Sequence, residues 1–306
     1  MIYNRDNRDK GENMQGRIVN NISNTYWIEC QEILYEAVAR GKFKIEDMVP
    51  VVGDMVEFEE TNKEKKEAVI TKILPRQNYI KRPKIANVTK LIFVMSMKMP
   101  KPDLLLLDKQ LAFAEFMGIP TVIVLNKQDI GEAKEIQEIR EIYLNLGYPV
   151  MVVSASQNKG VKQVREALEG EVSAFSGNSG VGKSTLLNAI FGENLTKEGL
   201  VSKKNKKGKN TTTTVQLYCL NENTYIADTP GFSTFDIYEI PSKELYQYFK
   251  EFKQAEKNCK YVGCTHIKEQ ECGIRQALKE GKIAKQRYDN YIKIYEDLKD
   301  KEEHKW

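Results

Sequence analysis

Hydrophobic and polar positions alternate with period two between residue 14 and about residue 73, the mark of strands with one buried face. Residues 15–19, 25–30, 49–58 and 68–70 are predicted strands, separated by the turn formers Asn and Ser. Several short strands at such spacing predict a small all-β barrel of OB type over residues 14–75, preceded by a polar extension over 1–13. A β-domain that binds nothing fits this segment too.

After Pro75 the pattern changes. Apolar blocks at 91–95, 121–125 and 150–153 alternate with helical stretches at 103–117, 132–146 and 161–168. Such alternation predicts a parallel sheet with helices on both faces, assigned to residues 76–240. Beyond Pro241 the chain turns charged and helical, ending in a predicted helix over 282–299, so residues 241–306 form a third, mostly helical segment. No internal repeat is present, and the low-complexity stretch is Lys203-Lys204-Asn205-Lys206-Lys207-Gly208-Lys209 with the threonines that follow Asn210.

Composition narrows this multidomain picture modestly. Of 306 residues 41% are hydrophobic, enough for real cores. The net charge of +4 is a small difference between 47 basic and 43 acidic residues, so any polyanion contact must come from local clusters. No run approaches the roughly 18 apolar residues of a membrane span, and residues 1–13 carry no apolar signal-peptide core. A cytoplasmic protein without membrane partners is therefore expected. Nothing calls for an obligate dimer, and a monomer is expected.

The segment Gly177-Asn178-Ser179-Gly180-Val181-Gly182-Lys183-Ser184-Thr185 matches the phosphate-binding P-loop and lies between a strand ending at Phe175 and a helix over 185–191. Its glycines let backbone N–H groups turn inward around a phosphate, and the helix N-terminus adds positive dipole. Lys183 would reach the β and γ phosphates, and Ser184 would ligate Mg²⁺. A glycine-rich turn before an ordinary helix is the plainer alternative.

Asn126-Lys127-Gln128-Asp129 follows the apolar strand 121–125, at the carboxyl end where open α/β sheets bind ligands. The motif is similar to the guanine-reading sequence of GTPases. Asp129 would accept hydrogen bonds from guanine N1–H and the 2-amino group, which adenine cannot offer. An Asn-Lys turn after a strand also occurs without any ligand. Ser154-Ala155-Ser156, again at a strand end, resembles the companion loop that supports the base.

Asp228-Thr229-Pro230-Gly231 follows the strand 224–227 and resembles the D-x-x-G motif, in which the Asp holds Mg²⁺ through water and the Gly senses the γ phosphate. Thr211-Thr212-Thr213-Thr214 resembles the switch segment that supplies a Mg²⁺-binding hydroxyl, with Thr212 the preferred candidate; a β-edge strand is the alternative. In common GTPases the P-loop comes first. Here Asn126 to Ser156 precede Gly177, a circular permutation, which short distances between domain termini make tolerable. The chain leaving Gly231 then runs straight into the C-terminal segment, a direct route for the nucleotide state.

Five cysteines are present, an odd number. Cys30 and Cys219 stand alone, whereas Cys259-x4-Cys264-x-His266-x5-Cys272 gathers three thiols and one of only two histidines, the other being His304. Three thiolates and an imidazole make a closed tetrahedral set suited to one structural Zn²⁺ per chain, with ordinary buried thiols as the alternative.

Barrel, permuted GTPase and Cys3His segment together resemble the bacterial ribosome small-subunit-dependent GTPase A family, over nearly all of the chain after the first dozen residues. Pro50-Val51-Val52-Gly53-Asp54, Arg82-Pro83, Ala86-Asn87-Val88 and Cys264-Thr265-His266 are further local matches. The resemblance implies GTP hydrolysis stimulated by the small ribosomal subunit, rRNA binding, and a role in late maturation of that subunit. Lys183, Thr212 and Gly231 are the implied catalytic positions. Where many GTPases have a water-orienting Gln after D-x-x-G, this chain has Phe232; where the family commonly has His before the threonines, it has Asn210. An amide can orient water but not exchange a proton near neutral pH, so Asn210 is a candidate only. A GTP-gated RNA-binding module with vestigial hydrolysis is the competing reading, and an ATP-dependent enzyme a third that Asn126 to Asp129 contradict. Tyr26, Trp27 and Phe43 with Arg40, Lys42 and Lys44 offer aromatic and basic chemistry for RNA, as the lysines of 203–209 do; core packing and a solvated loop are the alternatives.

Overall fold

The computed structural model describes residues 14–41, 48–192, 215–228 and 237–304. Two compact units emerge: one built from residues 14–88 with 215–218 and 227–228, the other from 89–192, 219–226 and 237–304.

In the first unit, strands β1 (Met14–Ile22), β2 (Thr25–Cys30), β3 (Ile33–Ala39), β4 (Met55–Asn62) and β5 (Glu67–Ile73) run in the order β1-β2-β3-β5-β4. Strand β4 pairs back onto β1, antiparallel with Met14 opposite Phe58, so the sheet closes into the expected OB-like barrel. Alternate residues fill it: Ile18, Ile28, Tyr35, Val56, Phe58 and Ile70 are buried, and the rings of Tyr35 and Phe58 pack 5.0 Å apart. A small hairpin, β6 (Tyr79–Lys81) with β7 (Lys84–Ala86), follows.

The predicted strand over 49–58 is half loop. Asp54, fully buried, accepts from Val51 N at 2.8 Å and from Arg76 Nε at 2.7 Å, bending the chain into a turn. Gly53 has φ of 91°, and a Cβ there would lie 2.0 Å from the Ala86 carbonyl oxygen. Regular pairing therefore begins only at Met55.

The second unit contains the α/β sheet. Strands β8 (Lys90–Ser96), β9 (Thr121–Asn126), β10 (Val150–Val152) and β11 (Val172–Ser176) run parallel in the order β10-β9-β8-β11, and strands β12 (Gln216–Asn221) and β13 (Thr224–Asp228) follow along the chain. Strands β9 and β11 are buried at every residue, as a strand covered on both faces must be. Helices α1 (Leu104–Met117), α2 (Ala133–Asn145), α3 (Val161–Glu166) and α4 (Lys183–Phe191) make the connections. Helix α4 begins two residues earlier than its predicted start at Thr185, so Lys183 stands in its first turn. Asp103 caps α1 by accepting from Leu106 N at 2.9 Å, and Gly118, at φ 65°, ends it.

The C-terminal part is helical: a 3-10 helix at Ser242–Tyr248, then α5 (Phe252–Ala255), α6 (Gly273–Lys279) and the long α7 (Lys285–Glu303). Its core is aromatic, with Phe249, Phe252 and Tyr291 in mutual contact at centroid distances of 4.9 to 5.3 Å. No helix among the described residues is long and apolar enough to cross a membrane.

Candidate nucleotide site and metal centre

Three predicted motifs stand at the carboxyl ends of strands of one parallel sheet: Asn126 ends β9, Ser154 follows its neighbour β10, and Gly177 follows β11, which lies beyond β8 on the other side. Asn126, 2% exposed, joins them. Its Nδ2 donates to the Val181 carbonyl in the P-loop at 2.9 Å, and its Oδ1 accepts from Ala155 N at 3.1 Å. Lys127 Nζ donates to the Gly180 carbonyl at 2.6 Å and to that of Met99. Gln128 N donates to the Val153 carbonyl at 3.1 Å, zipping the motif to the next strand end. Within the Ser154 loop the hydroxyls of Ser154 and Ser156 lie 3.2 Å apart, and Ser154 Oγ accepts from Gln157 N at 3.3 Å.

The loop from Gly177 to Gly182 wraps closely. Gly182 has φ of 95°, and a Cβ there would fall 2.4 Å from Asn126 Nδ2, so this position admits no side chain. No side chain caps the start of α4, which leaves first-turn backbone donors for an anion. Lys183 Nζ lies back along the loop, donating to the carbonyls of Gly177 at 2.5 Å and Asn178 at 3.0 Å. Ser179, Gly180, Ser184, Thr185 and Asp129 are exposed around this cradle, while Val181 and Ala155 are buried beneath it. The glycine cradle, the helix terminus and the exposed carboxylate of Asp129 fit a guanine nucleotide with its phosphates on α4. Asp228 closes β13. Asn210, Thr212, Gly231, Phe232, the lysines of 203–209, Lys42, Phe43 and Lys44 lie outside the described residues.

In the barrel, Tyr26 is core, 4% exposed, whereas Trp27 on the opposite face of β2 is half-buried. Arg40 is exposed and paired with Glu59 at 2.8 Å.

The Cys3His set comes together. Ligand atoms of Cys259, Cys264, His266 and Cys272 all lie within 4.8 Å of one another. His266 Nδ1 sits 3.5 Å from both Cys259 Sγ and Cys272 Sγ, and those two sulfurs are 3.9 Å apart. Four ligands at Zn–S distances of about 2.3 Å on a tetrahedron have edges of about 3.8 Å, so the donor set fits one metal ion. The other ring nitrogen of His266 is buried with no hydrogen-bond partner. Burial holds the His266 imidazole down to about 4, against the opposing pull of Glu269, and burial together with Cys272 and Cys259 pushes the Cys264 thiol up to about 12. A dication would reverse the penalty on the thiolates. The backbone is braced from α7, where Tyr288 Oη donates to the His266 carbonyl at 2.6 Å and Tyr291 Oη to that of Thr265 at 2.9 Å. Glu269 braces it from within, accepting from Thr265 N and Oγ1 at 2.8 Å each.

One cluster escapes sequence reasoning. Asp108, fully buried in α1, accepts from Arg287 Nη1 at 2.6 Å, Tyr143 Oη at 2.8 Å, Asn290 Nδ2 at 2.7 Å and Gln286 Nε2 at 3.0 Å. Arg287 donates twice more to Glu251, at 2.7 and 3.0 Å, and lies over the Phe249 ring. The available signal was a carboxylate in the middle of the apolar run Leu104 to Ala114.

Comparison with known proteins agrees with this geometry. The RsgA N-terminal domain family matches residues 15–70 and the RsgA GTPase family residues 73–238. Proteins called small ribosomal subunit biogenesis GTPase RsgA are similar over nearly their whole length. That of Caldanaerobacter subterraneus is 37% identical, covering 96% of this chain and 99% of its own. That of Thermotoga maritima is 38% identical, covering 93% and 96%. Among solved structures, YjeQ from Thermotoga maritima superposes with a TM-score of 0.79 at 37% identity, covering 93% of this chain and 98% of its own. YloQ, described as a circularly permuted GTPase, gives 0.77 at 30% identity, covering 96% and 98%. Matched in both barrel and permuted α/β unit, the chain belongs to the RsgA GTPase family.

Proposed function

We propose that this protein hydrolyses GTP to GDP and phosphate as a late assembly factor of the small ribosomal subunit, cytoplasmic and monomeric, with that subunit and its rRNA as partners. The observation that carries the nucleotide reading is Asn126, one side chain that fastens the P-loop at Val181 and the base-side loop at Ala155. Base and phosphate subsites are thereby held in one frame.

In this reading Asp129 selects guanine, with Asn126, Lys127 and the loop Ser154-Ala155-Ser156 supporting the base. Gly177, Asn178, Ser179, Gly180, Val181, Gly182, Lys183, Ser184 and Thr185 receive the phosphates. Ser184, Thr212 and Asp228 would hold Mg²⁺ with GTP, and the ion would supply charge neutralisation to the phosphates. Lys183 adds its ammonium to the same charge, leaving the loop carbonyls it touches for phosphate oxygens. Gly231 senses the γ phosphate. With Phe232 in the usual glutamine position, intrinsic turnover is slow and the subunit supplies the missing organisation. Residues 14–75 act as the RNA-binding barrel, 76–240 as the GTPase and 241–306 as the zinc segment, with one structural Zn²⁺ on Cys259, Cys264, His266 and Cys272.

The test is multiple-turnover GTP hydrolysis with purified small subunits, with large subunits as control. Stimulation of at least about tenfold by small subunits alone is expected. Tight GDP binding without stimulation would replace the hydrolase with a GTP-gated RNA-binding module.

A further inference from the structure

Helix α1 has two working faces. Asp103 and Gln110 are seven residues apart and so share one side of the helical register. Both reach the turn that enters the P-loop. Gln110 Nε2 donates to Ser176 Oγ at 2.9 Å, with both residues buried. Asp103 Oδ2 accepts from Asn178 Nδ2 at 2.9 Å while its Oδ1 caps the helix on Leu106 N. Ser176 and Asn178 flank Gly177, the first glycine of the loop.

Asp108 and Glu115 are likewise seven apart, and Asp108 lies roughly 160° around the helix from Gln110. This face is anchored to other parts of the unit. Asp108 holds Arg287, Tyr143 and Asn290, while Glu115 pairs with Lys250 at 3.1 Å and accepts from Tyr148 Oη at 3.2 Å. Lys109 adds an ion pair to Asp297 at 2.9 Å. A helix pinned along its far side can serve as a fixed post.

We propose that Asp103 and Gln110 are positioning residues for nucleotide binding, holding the entrance of the P-loop in its phosphate-receiving shape from outside the GTPase motifs. The proposal rests on the guanine-nucleotide reading of this loop. A loop held in place before binding loses less conformational freedom on binding, and the difference appears as slower release. Asp103 and Gln110 act through Asn178 and Ser176, the residues on either side of Gly177.

The test is the release rate of a fluorescent GDP analogue from the full-length protein, with thermal melting measured alongside. Asp103→Ser keeps a helix cap but loses the carboxylate bond to Asn178; Asn178→Ala removes the other partner, and Gln110→Met keeps length without the donor. Each single variant should release GDP about fivefold to tenfold faster, the equivalent of one hydrogen bond. The Asp103→Ser, Asn178→Ala double variant should be no faster than the faster single, because both remove one contact. Release rates that multiply in the double variant, or single variants that melt lower yet release GDP as the parent does, overturn the proposal alone. A parent that binds no GDP, or a Lys183→Ala variant that binds it equally well, overturns the nucleotide reading and the proposal with it.

Discussion

Asp129 stands exposed at the rim of the cradle, at the end of a motif whose Asn126 is nearly inaccessible. In the proposed reading the two residues divide the labour, Asp129 choosing the base and Asn126 holding the frame. Replacing Asp129 with Asn removes two charge-assisted hydrogen bonds to guanine, each worth about 1.5–3 kcal/mol, so GDP affinity should fall at least about 100-fold. The new amide can donate to the 2-oxygen of xanthine, and competition binding should show preference moving to xanthosine diphosphate. Unchanged GDP affinity would remove Asp129 from base recognition. Gly182→Ala tests the frame: its Cβ would lie 2.4 Å from Asn126 Nδ2, pushing that amide off Val181 and Ala155. GDP affinity should drop more than about tenfold and melting should fall as well, since a φ of 95° strains an Ala and the displaced Asn126 amide is buried. The motif residues were legible because each motif is contiguous in sequence. The bridging of Asn126 was not, since its partners lie 55 and 29 residues away and no local pattern encodes them.

At the scale of elements, period and composition located β1, β2, β8, β9 and α1 because their burial follows their hydrophobicity. Strand β3 escaped because its burial does not follow hydrophobicity: Tyr35 and the small Ala37 are buried while Ile33 and Val38 are 39% and 51% exposed. The strand expected over 49–58 failed where Pro50, Gly53 and the buried Asp54 impose a turn that β-propensity does not register. The Asp108 cluster was invisible for a further reason, a pairing across 179 residues between α1 and α7. Arg287 and Asp108 are 1% and 0% exposed, so neither charge can fall back on water. Asp108→Ala should cost about 3–5 kcal/mol, read as a lower midpoint in denaturant, because it leaves Arg287 with Glu251 alone and strips Tyr143 and Asn290 of their acceptor. A cost below about 1 kcal/mol would mean that water enters and replaces the carboxylate.

For the molecule as a whole, permutation places the Cys3His segment directly after the last nucleotide motif, and α7 then returns to dock on α1 through Arg287. The Cys3His cluster hangs between these attachments, its backbone held at Thr265 and His266 by Tyr291 and Tyr288 of α7. In the proposed reading two supports of different kinds follow: thiolate ligation of a zinc ion inside residues 259–272, and a buried ion cluster outside them. Without a metal, burial disfavours the charged forms of Cys264, Cys272 and His266, so the ligand loop has no cross-link while the Arg287 cluster stays satisfied. Chelation should release one zinc per chain and raise hydrogen exchange across residues 259–272, and Cys264→Ser should do the same in part. Exchange over α7 and GDP affinity should stay within about twofold of the metal-bound protein, because their contacts run through α1 and not through the sulfurs. Loss of GDP binding on chelation would instead mean that the metal, and not Arg287, keeps the C-terminal segment seated on the nucleotide unit.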